Sequence, residues 1–428
     1  MAVREGTFDG PSSVPIDQRT RQSYTAYFVT QSGTPDARQR VPEVVRKHMP
    51  ALDGLRGLAI ALVLLHNLCG IDASGNHVLR VIDSALTIGW VGVQLFFVLS
   101  GFLITGILLD DRGKQGYFRA FFARRVLRIF PLYYLALVSY FLVLPALVHL
   151  PVALSNSVQH NQVWYWLYLS NWASPINHGV PGLPHFWSLA VEEQFYLAWP
   201  LVVFFADGRK LAKLCVALVV FALAVRLGIR MRGLPPEIAY ENTFARIDAL
   251  ALGGLGAVVV RDAAWVDWLL PRLRRIWIGV VVLALALPIG SHGLARTSFF
   301  VQTIGYTVIA MVFGLMVLSA AIAPAFEAGY KLTLSRWLSV APLRWLGKYS
   351  YGIYVFHVPV RSLAYWFIGG ERALTGGSTI HQLVRVFSFA ALVTVATSIV
   401  AVLSFNVFEK RFLAMKDAFA PKKPVAEV

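Results

Sequence analysis

Residues 86–109 read LTIGWVGVQLFFVLSGFLITGILL, 24 positions without a single Lys, Arg, Asp or Glu. A bilayer core is crossed by roughly 20 apolar residues in a helix, which satisfies its own backbone N–H and C=O groups where no water can. A run this long is therefore a membrane span. Working outward, the same reasoning gives further candidate spans at 52–70, 126–147, 186–206, 211–229, 249–261, 276–290, 299–323, 349–368 and 383–407. The expected fold class is all-α, a polytopic integral membrane protein with about ten transmembrane helices plus a short re-entrant or interfacial segment. Spans 249–261 and 276–290 are short and are expected to be tilted, broken or extended into their flanks. The extra segment is 163–173, VWYWLYLSNWA, too short to cross and loaded with the aromatic residues that gather at membrane interfaces.

Composition agrees. Apolar residues make up 57% of the chain and charged residues 14%, with a mean hydropathy of +0.60, a balance that suits lipid as solvent. Cys69 and Cys215 are too few for a disulfide framework or a zinc cluster, so no metal is expected. The net charge of +16 sits at the ends of apolar runs and forms no stripe on a soluble module, which argues against nucleic acid as partner. Arg46, Lys47 and Arg56 flank the first span, and Arg112, Lys114, Arg119, Arg124, Arg125 and Arg128 precede the third. Further basic clusters follow at alternate connections, so all of them face the cytoplasm together and both termini are expected there. The opposite loop 148–185 has no charged residue at all. One segment breaks the rule: Arg226, Arg230, Arg232 and Arg246 fall on the outer side, so either a span is misplaced or these arginines serve a pocket. The expected layout is a disordered cytoplasmic tail at 1–48, a transmembrane domain at 49–412 and a short cytoplasmic tail at 413–428, in the cell's inner or plasma membrane.

Charged groups inside a span cost roughly 2.5–3.5 kcal/mol each on insertion scales, so each asks for a reason. Arg56 and His66 lie in the first span, about 15 Å apart along a helix axis, which puts Arg56 near the cytoplasmic face and His66 deeper. The fourth span opens with Ser188, Glu192, Glu193 and Gln194; adjacent residues point about 100° apart, so only one glutamate, Glu192 at i+4, shares a face with Ser188. Ser350, Tyr354 and His357 form one helical stripe in the ninth span. Each has a bland alternative: a histidine bonded to a neighbouring helix, a glutamate paired with a membrane arginine, a tyrosine stripe that only packs. A basic run at 124–128 is also what topology alone requires.

Five blocks in order carry a resemblance. They are Leu52-Asp53-Gly54-Leu55-Arg56-Gly57-Leu58-Ala59 with His66, then 92–104 (GVQLFFVLSGFLI), 122–131 (FARRVLRIFP), 186–196 (FWSLAVEEQFY), and Ser350-Tyr351-Gly352-Ile353-Tyr354 with His357. Together they resemble the membrane-bound acyltransferase family 3, integral membrane enzymes that move acyl groups to hydroxyls of sugars, envelope polymers, lipids or secondary metabolites. The resemblance implies a cytoplasmic acyl-coenzyme A donor, acetyl-CoA in the simplest case, and ten or so helices. One departure stands out: nine residues separate Arg56 from His66 where the family usually has ten, so Asn67 holds the expected position. An offset of ten turns a helix about 80° further than the family's near-coincident eleven.

Acyl transfer needs a base for the acceptor hydroxyl, donors for the developing oxyanion and an anchor for the donor's phosphates. The catalytic candidates are His66 as general base, Glu192 or Glu193 to orient it or handle a proton, and Ser350, Tyr354 and His357 to steady the acceptor or oxyanion. Arg56, Arg124, Arg125 and Arg128 are candidates for the phosphates of coenzyme A. Gly92, Gly101 and Gly106 are expected to let helices approach closely. The expected partners are acyl-CoA, a hydroxyl-bearing sugar, glycolipid, envelope polymer or secondary metabolite, and membrane lipid, with a homo-oligomer left open. The alternative is a proton-coupled transporter or flippase using the same His and Glu residues; it would release no free thiol. A split activity, passing acyl groups to a separate transferase, is disfavoured by the short tail after residue 412.

Overall fold

A computed structural model describes residues 49–72, 76–147, 161–177, 179–291, 294–323, 333–375 and 378–421, so the expected tail 1–48 and the last residues of the tail 413–428 lie outside it. Among the described residues every regular element is a helix. In chain order these are α1 (Pro50–Leu68), α2 (His77–Thr87), α3 (Val91–Asp111), α4 (Tyr117–Val138), α5 (Ser170–Asn177), α6 (Phe186–Phe205), α7 (Gly208–Met231) and α8 (Pro236–Glu241). They continue with α9 (Thr243–Val259), α10 (Ala263–Leu269), α11 (Leu273–Ser291), α12 (Tyr306–Ile322), α13 (Thr333–Leu338), α14 (Ala341–Phe367) and α15 (Thr379–Ser404). Their starts are written locally. The side chains of Asn76, Asp207, Asn242, Asp262 and Ser378 accept from the first free backbone N–H groups of α2, α7, α9, α10 and α15. Proline opens α1, α8 and α14, where it gives up no helical bond.

Among the described residues, six helical stretches are long and apolar enough to cross a membrane: Pro50–Leu68, His77–Asp111, Tyr117–Leu147, Gly208–Met231, Val301–Ile322 and Thr379–Phe419. A seventh is reached if Pro236–Val259 and Ala263–Pro288, bent by 107° at their junction, are counted as one broken span. The expected count of about ten is therefore met only in part. Helices α6 and α14 are long, but Glu192, Glu193 and Gln194 dilute the first, and Arg344, Lys348 and Arg361 the second. The two short spans do extend: α9 begins at Thr243, well before residue 249, and the break follows at 260–262. The aromatic segment is two short helical pieces, at 161–166 and in α5, joined through Tyr168 in the left-handed region (φ 55°) and stacked on Tyr133 of α4 at 4.0 Å.

The exterior is greasy. Val216, Val220 and Phe221 of α7, Leu363, Trp366 and Phe367 of α14, and Leu392, Val395, Ile399 and Leu403 of α15 are all exposed. Such continuous apolar faces belong against lipid. Inside, α14 packs most extensively on α1, and α9 on α3. Glycine makes both contacts backbone-close. A Cβ on Gly57 would lie 1.9 Å from the carbonyl oxygen of Leu343, and one on Gly347 1.9 Å from that of Asp53. The α3–α9 pair repeats this at Gly101, 1.9 Å from Leu250 O, and Gly253, 2.0 Å from Val98 O. Gly92 meets Ala59 O at 2.5 Å, as a close-approach role requires, whereas Gly106 leaves room for the guanidinium of Arg261.

Candidate active site

Helices α1, α3, α4, α6 and α14 enclose a cavity of about 240 Å³. From α1 it takes Arg56, and from α4 Arg125 and Arg128. From α6 it takes Ser188, Glu192, Glu193 and Tyr196, and from α14 Ser350, Tyr351 and Tyr354. Helix α3 supplies the apolar wall, including Val93, Phe96, Phe97 and Leu103, with Ser100 as its polar member. Charge is graded along the space. Arg128 is exposed, at the end that the positive-inside pattern assigns to the cytoplasm, while Ser188 and Tyr354 are buried at the other end.

The polar groups are held by specific bonds. The Tyr196 hydroxyl donates to Glu192 Oε2 at 3.1 Å and also bonds Ser100 Oγ; the Arg125 guanidinium stands over the Tyr196 ring, 5.7 Å from its centre. Tyr351 donates to the Ile129 carbonyl at 2.8 Å, tying α14 to α4. The Tyr354 hydroxyl shares a hydrogen bond with Ser188 Oγ and donates to the His185 carbonyl at 3.0 Å, tying α14 to the start of α6. Ser350 Oγ donates to Gly347 O at 2.9 Å, and Arg56 pairs with Asp53 at 3.3 Å. Glu193 Oε1 is buried with no partner. Gln194 turns away and bonds Tyr168 O and Asn171 Oδ1, both at 2.8 Å, fastening α6 to the aromatic segment.

Seven of the ten candidate residues line this cavity: Arg56, Arg125, Arg128, Glu192, Glu193, Ser350 and Tyr354. Both glutamates reach it together with Ser188, because the space wraps around α6 more broadly than one helical face. Arg124 does not line it; its guanidinium is committed to Asp111 at 2.6 Å, beside Lys114. His357 is fully buried one turn beyond Tyr354. His66 sits in the last turn of α1, half-buried against Gly89, with Arg296 and Arg361 acting on it electrostatically and Nδ1 without a partner. Asn67, at the family's usual histidine position, spends its amide on Val63 O at 2.9 Å, and its own carbonyl accepts from Arg361 at 2.7 Å. The contacts Asp53–Gly347 and Asn67–Arg361 keep one register along α1 and α14, which sets His66 and His357 at similar depth.

Tyr196, Ser100, Ser188 and Tyr351 complete the lining without having been singled out as site residues from sequence. Tyr196 carried a signal, its i+4 spacing from Glu192; Ser100 carried none, because its partner lies on another helix. The anomalous arginines divide. Arg226 and Arg246 are fully buried and Arg232 is exposed. Arg226 pairs with Asp248 at 2.9 Å and donates to Thr307 Oγ1 at 2.6 Å; Thr307 in turn donates to Asp248 Oδ2 at 2.6 Å. Arg246 bonds Gln94 and lies over the Tyr306 ring at 4.4 Å, within a shell that includes Trp187 and Phe97. Phe97 lines the cavity and packs edge-on to Trp187 at 6.0 Å, so Arg246 braces its wall from behind. Among the described residues no group of three or more His, Cys, Asp or Glu side chains is placed to hold a metal.

The chain is 29% identical over 390 residues to the peptidoglycan O-acetyltransferase OatA of Listeria monocytogenes, covering 87% of this chain and 57% of that protein. It is 30% identical over 393 residues to the putative peptidoglycan O-acetyltransferase YrhL of Bacillus subtilis, covering 85% and 55%. It is 27% identical over 339 residues to the O-acetyltransferase OatA of Staphylococcus aureus, covering 73% and 51%. The chain thus spans a little over half the length of these relatives. No solved structure matches. The family model described as an acyltransferase domain matches residues 49–405, most of the chain and all five sequence blocks, and the protein therefore belongs to the membrane-bound acyltransferase family 3.

Proposed function

We propose that the protein is a membrane O-acyltransferase that carries an acyl group, acetyl in the simplest case, from cytoplasmic acyl-coenzyme A to a hydroxyl of a carbohydrate acceptor. The observation that carries this reading is the graded cavity: Arg56, Arg125 and Arg128 at its charged end, two glutamates midway, and Ser188 and Tyr354 at its buried end. Guanidinium groups suit the phosphates of coenzyme A, and the inner hydroxyls suit a carbonyl whose oxygen gains charge. His66 is the proposed general base, working at the outer end on the acceptor, with Glu192 or Glu193 handling a proton on the donor side. The acceptor class follows the names of two relatives, a peptidoglycan O-acetyltransferase and a putative one, and the charge pattern supports both termini in the cytoplasm.

The experiment is acetyl-CoA turnover by purified full-length protein with soluble peptidoglycan fragments, following free thiol and the mass of the acceptor. Thiol release coupled to an added acyl mass is expected. A carrier using the same buried residues would give neither, and that result overturns the enzyme reading.

A further inference from the structure

The cavity runs inward along α3 from Ile107 to Val93, about 21 Å at the helical rise. A space of about 240 Å³ drawn out over that length is a narrow channel. Its lining changes on the way. Arg56, Arg125 and Arg128 mark the charged end, and Leu103 and Ser100 lie midway along α3. Val93 and Phe96 reach the inner end, beside the hydroxyls of Ser188 and Tyr354. Three helices agree on where that end lies. Phe96 of α3 packs edge-on to Tyr354 of α14, 6.1 Å between ring centres, and Tyr354 shares a hydrogen bond with Ser188 of α6.

The channel stops at this layer. Tyr354 is fixed a second time, to the His185 carbonyl at 3.0 Å, and His357, one turn beyond it, is fully buried. The two aromatic rings of α3 at the stop differ in their duties. Phe97 is almost fully buried and also carries the Arg246 guanidinium, 5.7 Å from its ring centre. Phe96 is only half-buried and lines the channel. An acyl-coenzyme A whose phosphates rest on the arginines has one direction for its unbranched arm, which is inward, and the acyl group is the last part of that arm. A thioester carbonyl beside Ser188 and Tyr354 leaves the remainder of the acyl chain facing Phe96. A bulky apolar side chain at the blind end of a channel measures length, because each further methylene must find room or be refused.

We propose that Phe96 is the stop against which the acyl chain ends, and that it restricts the donor to short acyl groups, acetyl or propionyl. It acts on specificity alone and has no part in proton transfer. A smaller side chain in its place admits a longer acyl group, since packed helices close a vacated space only partly. The proposal deepens the acyltransferase reading and rests on it.

The test compares the full-length wild-type protein with Phe96→Ala and Phe96→Leu, and with Leu103→Ala, which removes apolar volume from the same helix midway along the channel. Acetyl-, propionyl-, butyryl- and hexanoyl-CoA are the donors, a soluble peptidoglycan fragment is the acceptor, and kcat/KM for each donor is read from thiol release. One methylene too many in an apolar pocket costs about 10- to 200-fold, so the wild type is expected to lose at least tenfold between acetyl and butyryl. Phe96→Ala should raise the butyryl-to-acetyl ratio at least tenfold, Phe96→Leu should raise it less, and Leu103→Ala should keep the wild-type ratio. Equal use of all four donors by the wild type would overturn the proposal. So would an unchanged ratio in folded Phe96→Ala, or a shift of equal size in Leu103→Ala. Should Phe96→Ala fail to fold, Phe96→Leu decides: an unchanged ratio there overturns the proposal. A wild type that releases no thiol from any donor refutes the underlying enzyme reading instead.

Discussion

Gly347→Ala adds one methyl group where α14 crosses α1. Its Cβ would lie 1.9 Å from Asp53 O, and ordinary contact begins at 3.4 Å, so the backbones must part by up to 1.5 Å. Neither contact atom is the end of a flexible side chain, so the strain is not relieved by a rotamer change. Overpacking of this kind costs about 1–3 kcal/mol of stability. The effect on chemistry is expected to be larger, because Arg56 follows the contact on α1 by one turn and Ser350 follows it on α14. A misplacement of about 1 Å between groups that hold two ends of one substrate can cost roughly 100-fold in rate. Gly279→Ala and Gly314→Ala are the controls: nothing lies within 4 Å of a Cβ at either position, and Ala for Gly in a helix gains up to about 1 kcal/mol. The assay is acceptor-dependent thiol release, alongside the midpoint of thermal unfolding in the same detergent. Wild-type rate and midpoint in Gly347→Ala would refute the backbone-close crossing and the claim that it sets the spacing of the site.

Three further outcomes are expected. Arg125→Ala should raise the donor KM about 10- to 100-fold through loss of a charge-assisted contact, whereas Arg124→Ala, whose partner is Asp111, should leave it unchanged; a shift of equal size in both would assign the pair to topology alone. Asp248→Asn should destabilise the fold by about 3–5 kcal/mol, since it strands Arg226 without its counter-charge, and the double substitution Arg226→Met/Asp248→Leu should recover part of the loss; additive losses in the unfolding midpoints would contradict a buried pair. Tyr196→Phe removes the hydroxyl that links Glu192 to Ser100 and should lower kcat about tenfold with little change in donor KM, a split read from full saturation curves.

Much of this architecture is legible along the chain, because lipid demands long uncharged helices and charge marks their ends. The blocks around Arg56, Glu192 and Ser350 stand out for the same reason: ionisable or polar groups in apolar runs are conspicuous. What sequence does not carry is which helix faces which. Ser100 gains its partner from Tyr196 on α6, and Ser188 from Tyr354 on α14, neighbours far away in sequence. A helical face can be counted from spacing, but its width cannot, so Glu193 joined Glu192 in a cavity that spacing had given to one of them. The span count suffered from the opposite problem: two helices that build the site, α6 and α14, carry Glu192, Glu193 and Gln194 or Arg344, Lys348 and Arg361 in place of residues that lipid prefers, and neither stands among the six stretches.

The ion pair between Arg226 and Asp248 bears on how the chain enters the bilayer at all. Each charge would resist partitioning from the translocon if its helix left alone, by roughly 2.5–3.5 kcal/mol on biological insertion scales. Helix α7 is complete some twenty residues before Asp248 emerges, so it is expected to wait at the lateral gate until α9 arrives and to depart with it as a hairpin. The same salt bridge that ties α7 to α9 in the finished protein thereby imposes an order on its biogenesis.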